Sequence, residues 1–164
     1  MNQKILKETI LSDAIVNQII SSERWGIFHG SHIIEYFIDN DMEFEYANSA
    51  LRKKIIKQYI LKKINVIFND IKEENPEILY RSVYLNDEPK NKANFGIYWS
   101  SKPNTSPCIQ YDSGIEYLLK IKFNNNDINW INTILSRLDY IHGDREKEYQ
   151  LYDKEVSLIS FEKV

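Results

Sequence analysis

At Asn75-Pro76 the repeat of apolar residues changes period, and the chain divides there into two differently patterned halves. Proline disfavours helical backbone at the residue before it, so a helix arriving from upstream has to stop. Upstream, Leu51, Ile55, Tyr59, Ile60, Ile64, Ile67 and Phe68 fall on one stripe, with Lys and Arg on the other side. That spacing predicts a long amphipathic helix over about 44 to 72. Ile5, Leu6, Ile10, Ala14, Ile15, Ile19 and Ile20 predict helix over 4 to 20. Ser31 can cap a short helix carrying Ile33, Ile34, Phe37 and Ile38.

Downstream the period drops to two. Ile78 to Leu85, Phe95 to Trp99 and Gly114 to Phe123 read as strands, and two more close the chain over about 148–152 and 155–163. Pro107 suits the first position of a single helical turn. Asp127 can cap one further helix holding Ile128, Ile131, Ile134, Leu135 and Leu138. Helices followed mostly by strands argue for an α+β fold rather than alternating α/β.

A length of 164 residues suits one domain, 1–164, with a helical section over 1–75 and a β core over 76–164. The formal net charge of -3 argues against a non-specific nucleic-acid surface, which needs an excess of Lys and Arg. The single cysteine, Cys108, cannot form an internal disulfide. No apolar run approaches the roughly 18–20 residues that span a bilayer, so no membrane partner is expected. The first residues read as the start of a charged helix rather than a signal peptide, and a cytoplasmic location, in its own or a host cell, is the expectation.

Three short segments carry chemistry. Glu146-Lys147-Glu148 precedes the alternating run Tyr149-Gln150-Leu151-Tyr152. Residues two apart in an extended segment face the same way, so both carboxylates can enter one cleft. Arg81 lies inside Leu79-Tyr80-Arg81-Ser82-Val83, an otherwise apolar strand, where a cation needs a partner or a ligand. Ser100 and Ser101 end the run Gly96-Ile97-Tyr98-Trp99. The bland alternatives are an exposed acidic edge, a snorkelling arginine and aromatic residues that simply pack a core.

An arginine on one strand, a serine closing a second and Glu-x-Glu opening a third together resemble the ADP-ribosyltransferase family of the Arg–Ser–Glu type, over about residues 78–164. The resemblance implies a two-sheet core with the helical section packed on it and NAD bound in the cleft between the sheets. It implies that Glu148 stabilises the ribosyl cation and that Glu146 activates the acceptor, an arginine in many members. Arg81 and Ser100 would hold NAD and the catalytic strand. Tyr98 or Trp99 would wall the pocket, and Tyr111 would stack on nicotinamide. Two departures stand out. Ser82 follows the arginine where the family usually has glycine, and Cys108 stands where alanine is common before the aromatic residue.

The implied activity is mono-ADP-ribosylation of an acceptor, a protein in the family's usual manner, with release of nicotinamide. Simple NAD hydrolysis and a catalytically silent binding or inhibitor protein of the same fold are the alternatives, and a toxin or phage effector is one setting for either. Phe28-His29-Gly30-Ser31 also resembles the start of the poly(ADP-ribose) polymerase branch, in which His29, Tyr98 and Glu148 would form the site. No metal is expected, since one cysteine and three scattered histidines offer no ligand set. Neither a serine-hydrolase elbow nor a phosphate-cradling glycine loop is present.

Overall fold

Helix and sheet segregate along the chain much as the change of period at Pro76 implies, giving a mixed α+β protein. The computed structural model describes residues 2–21, 48–103, 114–138 and 147–164. These fall into two compact units. One holds the helices up to Glu73 together with the helix that begins at Trp130; the other holds 74–129 and the chain from 147 onward.

In the helical unit, α1 (Gln3–Ile10) and α2 (Asp13–Ser21) replace the single helix expected over 4 to 20. The break lies at Leu11-Ser12. The Leu11 and Ser12 amides close back on Lys7 and Thr9, and the Ser12 hydroxyl accepts weakly from the Ile15 amide at 3.5 Å. Helix α3 (Ser49–Glu74) starts behind Asn48, whose side chain accepts from the Leu51 amide at 2.9 Å. Ile56, Ile60, Ile64, Ile67 and Ile71 form its buried stripe. It ends where expected: Asn75 turns left-handed at φ +31°, a C-terminal cap suited to asparagine, and Pro76 follows.

Helix α4 (Trp130–Leu138) starts later than expected. Asp127 is not its cap. Asn124 caps a 3₁₀ turn over Asn125–Asp127 instead, and Ile128 then bridges to Leu151 in extended conformation. The buried Tyr59 hydroxyl donates to the Leu138 carbonyl at 2.8 Å, satisfying a helix-end acceptor. On the surface, Asp13 meets Lys57 at 2.6 Å and Lys53 at 3.5 Å. The short helix expected over 33–38 and the turn at Pro107 lie outside the described residues.

The second unit is built on an antiparallel sheet of five strands in the order β5-β3-β1-β4-β7, where β1 is Ile78–Leu85, β3 Tyr98–Ser100, β4 Ile115–Lys122, β5 Glu148–Gln150 and β7 Ser160–Lys163. A two-stranded sheet pairs β2 (Lys92–Ala93) with β6 (Val156–Ser157). The stretch read as one closing strand over 155–163 is therefore two short strands in separate sheets.

Strands β1 and β4 pair along their whole length, from Ile78 opposite Lys122 to Leu85 opposite Ile115. Alternation sorts their side chains. Leu79, Val83, Tyr117, Leu119 and Ile121 are buried on one face, and Trp99 of β3 and Tyr149 of β5 join them. Tyr117 packs edge-on against Phe161 of β7 with ring centroids 5.8 Å apart. The other face carries Tyr80, Ser82, Tyr84 and Glu116, where the Glu116 carboxylate accepts from the Ser82 and Tyr84 hydroxyls.

Candidate functional site

The three strands that carry the sequence-predicted arginine, serine and glutamate are consecutive neighbours in the sheet: β1, then β3, then β5. Ser100 is the register partner of Glu148 on one side and of Tyr80 on the other. Directly opposed residues share a face, so Tyr80, Ser100 and Glu148 make a row across three strands. All three are half-buried. The Ser100 hydroxyl accepts from the Lys102 amide at 3.0 Å, and Glu148 Oε1 accepts from the Gln150 side-chain amide at 2.9 Å.

Arg81 is one residue on from Tyr80, so it leaves β1 toward the other side of the sheet. Its guanidinium reaches the start of β3, where Nη1 donates to the Tyr98 carbonyl. Gly96 makes room for it. A Cβ there would lie 2.9 Å from Nη2, and the Gly96 backbone at φ +88° disfavours any larger residue. The Arg81 Nε is buried and has no hydrogen-bond partner among the described residues. Desolvation holds the Arg81 pKa below its ordinary value, against the opposing influence of the Glu148 carboxylate and Tyr98. The Nη end of the half-buried fork, beside Gly96 and the Tyr98 carbonyl, is the part of Arg81 whose chemistry suits an anionic oxygen ligand.

Tyr98 is the register partner of Gln150 and is 45% exposed. Partial burial raises its phenol pKa above the ordinary 10.0; Glu148 adds to that rise and Arg81 opposes it. Arg81 and Tyr98 thus both lie in the field of the Glu148 carboxylate. Trp99 points the other way into the core, 2% exposed, with its indole N–H donating to the Gly96 carbonyl at 3.0 Å. The register accordingly joins Ser100 to Glu148 and leaves Trp99 anchoring the strand from beneath. Glu146, Tyr111 and His29 lie outside the described residues.

Sequence reasoning passed over Glu74, Gly96 and Tyr80. Glu74 ends α3, and its carboxylate receives hydrogen bonds from Tyr149 and Ser101. One signal was available: an acid in the last helical turn opposes the helix dipole and needs a reason to be there. Gly96 offered another, as a glycine leading directly into an aromatic strand. Nothing local marks Tyr80, whose place depends on register.

A separate cleft of about 650 Å³ lies elsewhere in the second unit, bounded by Lys122, Asn125, Asp127, Lys154 and Glu155 among others. None of Arg81, Ser100 and Glu148 lines it. Lys154 is committed to Asp127, and Lys92 meets Glu155 at 3.5 Å, so its charges are largely paired. Among the described residues, no group of three His, Cys, Asp or Glu side chains is placed to hold a metal ion, and no helix is long and apolar enough to cross a membrane.

No protein-family model matches the chain, and neither a curated protein nor a solved structure matches it.

Proposed function

We propose that the chain is an NAD-dependent mono-ADP-ribosyltransferase with an ADP-ribosyltransferase-like β core. The observation that carries this reading is the strand order: the neighbours β1, β3 and β5 bear Arg81, Ser100 and Glu148. Ser100 and Glu148 are directly opposed on one face, and Arg81, which leaves β1 on the other face, reaches the Tyr98 carbonyl within the field of Glu148. The exposed Tyr98, between the guanidinium and the carboxylate in electrostatic terms, adds an aromatic wall.

In the proposed reaction the bond between nicotinamide and the ribose C1′ breaks, and nicotinamide leaves as a neutral base with the bonding pair. Positive charge grows on the ribose ring, as in glycoside cleavage, and the Glu148 carboxylate stabilises it. The Arg81 fork takes a diphosphate oxygen. Ser100 supports the Glu148 strand at the register position beside it. An acceptor nitrogen or oxygen then attacks C1′ and loses its proton to Glu146, forming the new glycosidic bond. A protein arginine is the acceptor that Glu-x-Glu favours.

The test uses the purified chain with labelled NAD, a protein lysate as acceptor and Glu148→Gln for comparison. Wild-type protein is expected to label an acceptor and release nicotinamide. Glu148→Gln loses about 10²–10³-fold in both rates, the size of losing one electrostatic contact to a transition state. Free nicotinamide without labelled protein identifies an NAD glycohydrolase. Full activity in Glu148→Gln removes the mechanism, and no turnover by wild-type protein leaves a binding protein.

A further inference from the structure

We infer that Glu74 is a positioning residue that pins the entry of β5 and so fixes where Glu148 stands. Its carboxylate Oε2 accepts from the Tyr149 hydroxyl at 3.0 Å and from the Ser101 hydroxyl at 3.1 Å, and Oε1 lies 3.8 Å from the Lys147 ammonium. The side chain is only 14% exposed. Two of these partners, Lys147 and Tyr149, are the immediate neighbours of Glu148; the third, Ser101, immediately follows Ser100. Within β5, alternation sends Tyr149 to the side opposite Glu148, and Lys147 immediately precedes the strand. One carboxylate therefore grips the strand on both sides of the candidate catalytic residue.

Backbone geometry supplies an independent sign. Lys147 has φ +52°, a left-handed conformation that a lysine rarely adopts. Such a residue persists where its surroundings over-determine it, and these outliers gather at functional sites. Here the Lys147 carbonyl accepts from the Ser101 amide at 3.2 Å while its ammonium faces Glu74. Helix stability gives no reason for an acid at the end of α3, because the dipole there favours cations. The catalytic meaning of this pinning rests on the transferase reading of Glu148; the pinning itself stands on the hydrogen bonds and the backbone.

Amide hydrogen exchange read by NMR on the full chain separates the two. In Glu74→Ala the Ser101 amide is expected to exchange about tenfold faster, whereas the β1–β4 amides keep their rates. Glu74→Gln retains an oxygen acceptor for the two hydroxyls and stays within about threefold of wild type. Adding Lys147→Gly to Glu74→Ala recovers part of the protection, since glycine accepts the left-handed backbone freely. Tyr149→Phe removes one donor and gives an intermediate acceleration, which keeps the test open should Glu74→Ala fail to fold. In NAD cleavage, Glu74→Ala lowers kcat about tenfold with KM within about twofold. Unchanged Ser101 exchange in Glu74→Ala and Tyr149→Phe, or equal acceleration of the β1–β4 amides, overturns the inference. A wild-type chain that does not cleave NAD defeats the transferase reading instead, and the exchange rates still decide the pinning.

Discussion

Strands β1 and β4 hold each other; strands β3 and β5 have to be held. The first pair has eight register partners and buries Leu79, Val83, Leu119 and Ile121 on one face. The second has three, Tyr98 to Gln150, Trp99 to Tyr149 and Ser100 to Glu148. So short a ladder supplies little stability alone, and side chains from other places complete it. Trp99 and Tyr149 sink into the core, the Trp99 indole ties back to Gly96, and Glu74 gathers Tyr149, Ser101 and Lys147. Tyr98, Ser100 and Glu148 sit on the pair that depends on these anchors, whereas Arg81 stands on β1 of the long pair. Precise placement of Ser100 and Glu148 is then a matter of packing beneath and hydrogen bonding beside them, rather than of ladder length.

The sharpest way to break that contrast is to remove an anchor of the short pair. Trp99→Ala empties a fully packed site and is expected to cost about 3–5 kcal/mol in denaturant unfolding, against about 2–5 kcal/mol for Leu119→Ala in the long pair. The discriminating readout is local. Trp99→Ala should loosen β3 and β5 amides well beyond the global loss, while Leu119→Ala loosens the sheet as a whole. Equal local patterns in the two variants would contradict the division between self-held and externally held strands.

A smaller effect sharpens the electrostatics of the short pair. Tyr98 keeps its proton above the ordinary phenol pKa of 10.0, through burial and then through Glu148. Between that ordinary value and the raised one, folded protein binds more protons than unfolded chain. The associated stability is therefore complete below the ordinary value and is lost as pH rises through the raised one. Glu148→Gln should move the Tyr98 titration down in an alkaline difference spectrum, and Arg81→Gln should move it up. Shifts of the opposite sign would show that the three groups do not share a field.

What the sequence made legible follows the same contrast. The stop of α3 at Asn75-Pro76 and the extents of β1 and β4 are encoded locally, by a proline, a left-handed asparagine and long alternating runs. The short strands are not. Lys92 pairs with Ser157, with most of the sheet lying between them in chain order, and no local pattern announces it. The 155–163 stretch keeps one alternating look while its halves join different sheets. Asp127 has the chemistry of a helix cap, but the 3₁₀ turn and the Ile128 bridge use those residues first. In the candidate site, the residue types were readable and their sides were not. Whether Arg81 or Tyr80 lines up with Ser100 is a question of register, which is fixed by partners far away in sequence.

The most direct measurement is calorimetric titration of NAD into Glu148→Gln protein, in which cleavage is suppressed, with and without the further change Arg81→Gln. Saturable one-site binding, weakened about 10–100-fold by losing the charged fork, is the predicted result. Absence of saturable binding, or the same affinity whether or not Arg81 is present, would contradict a dinucleotide site built from neighbouring β1, β3 and β5.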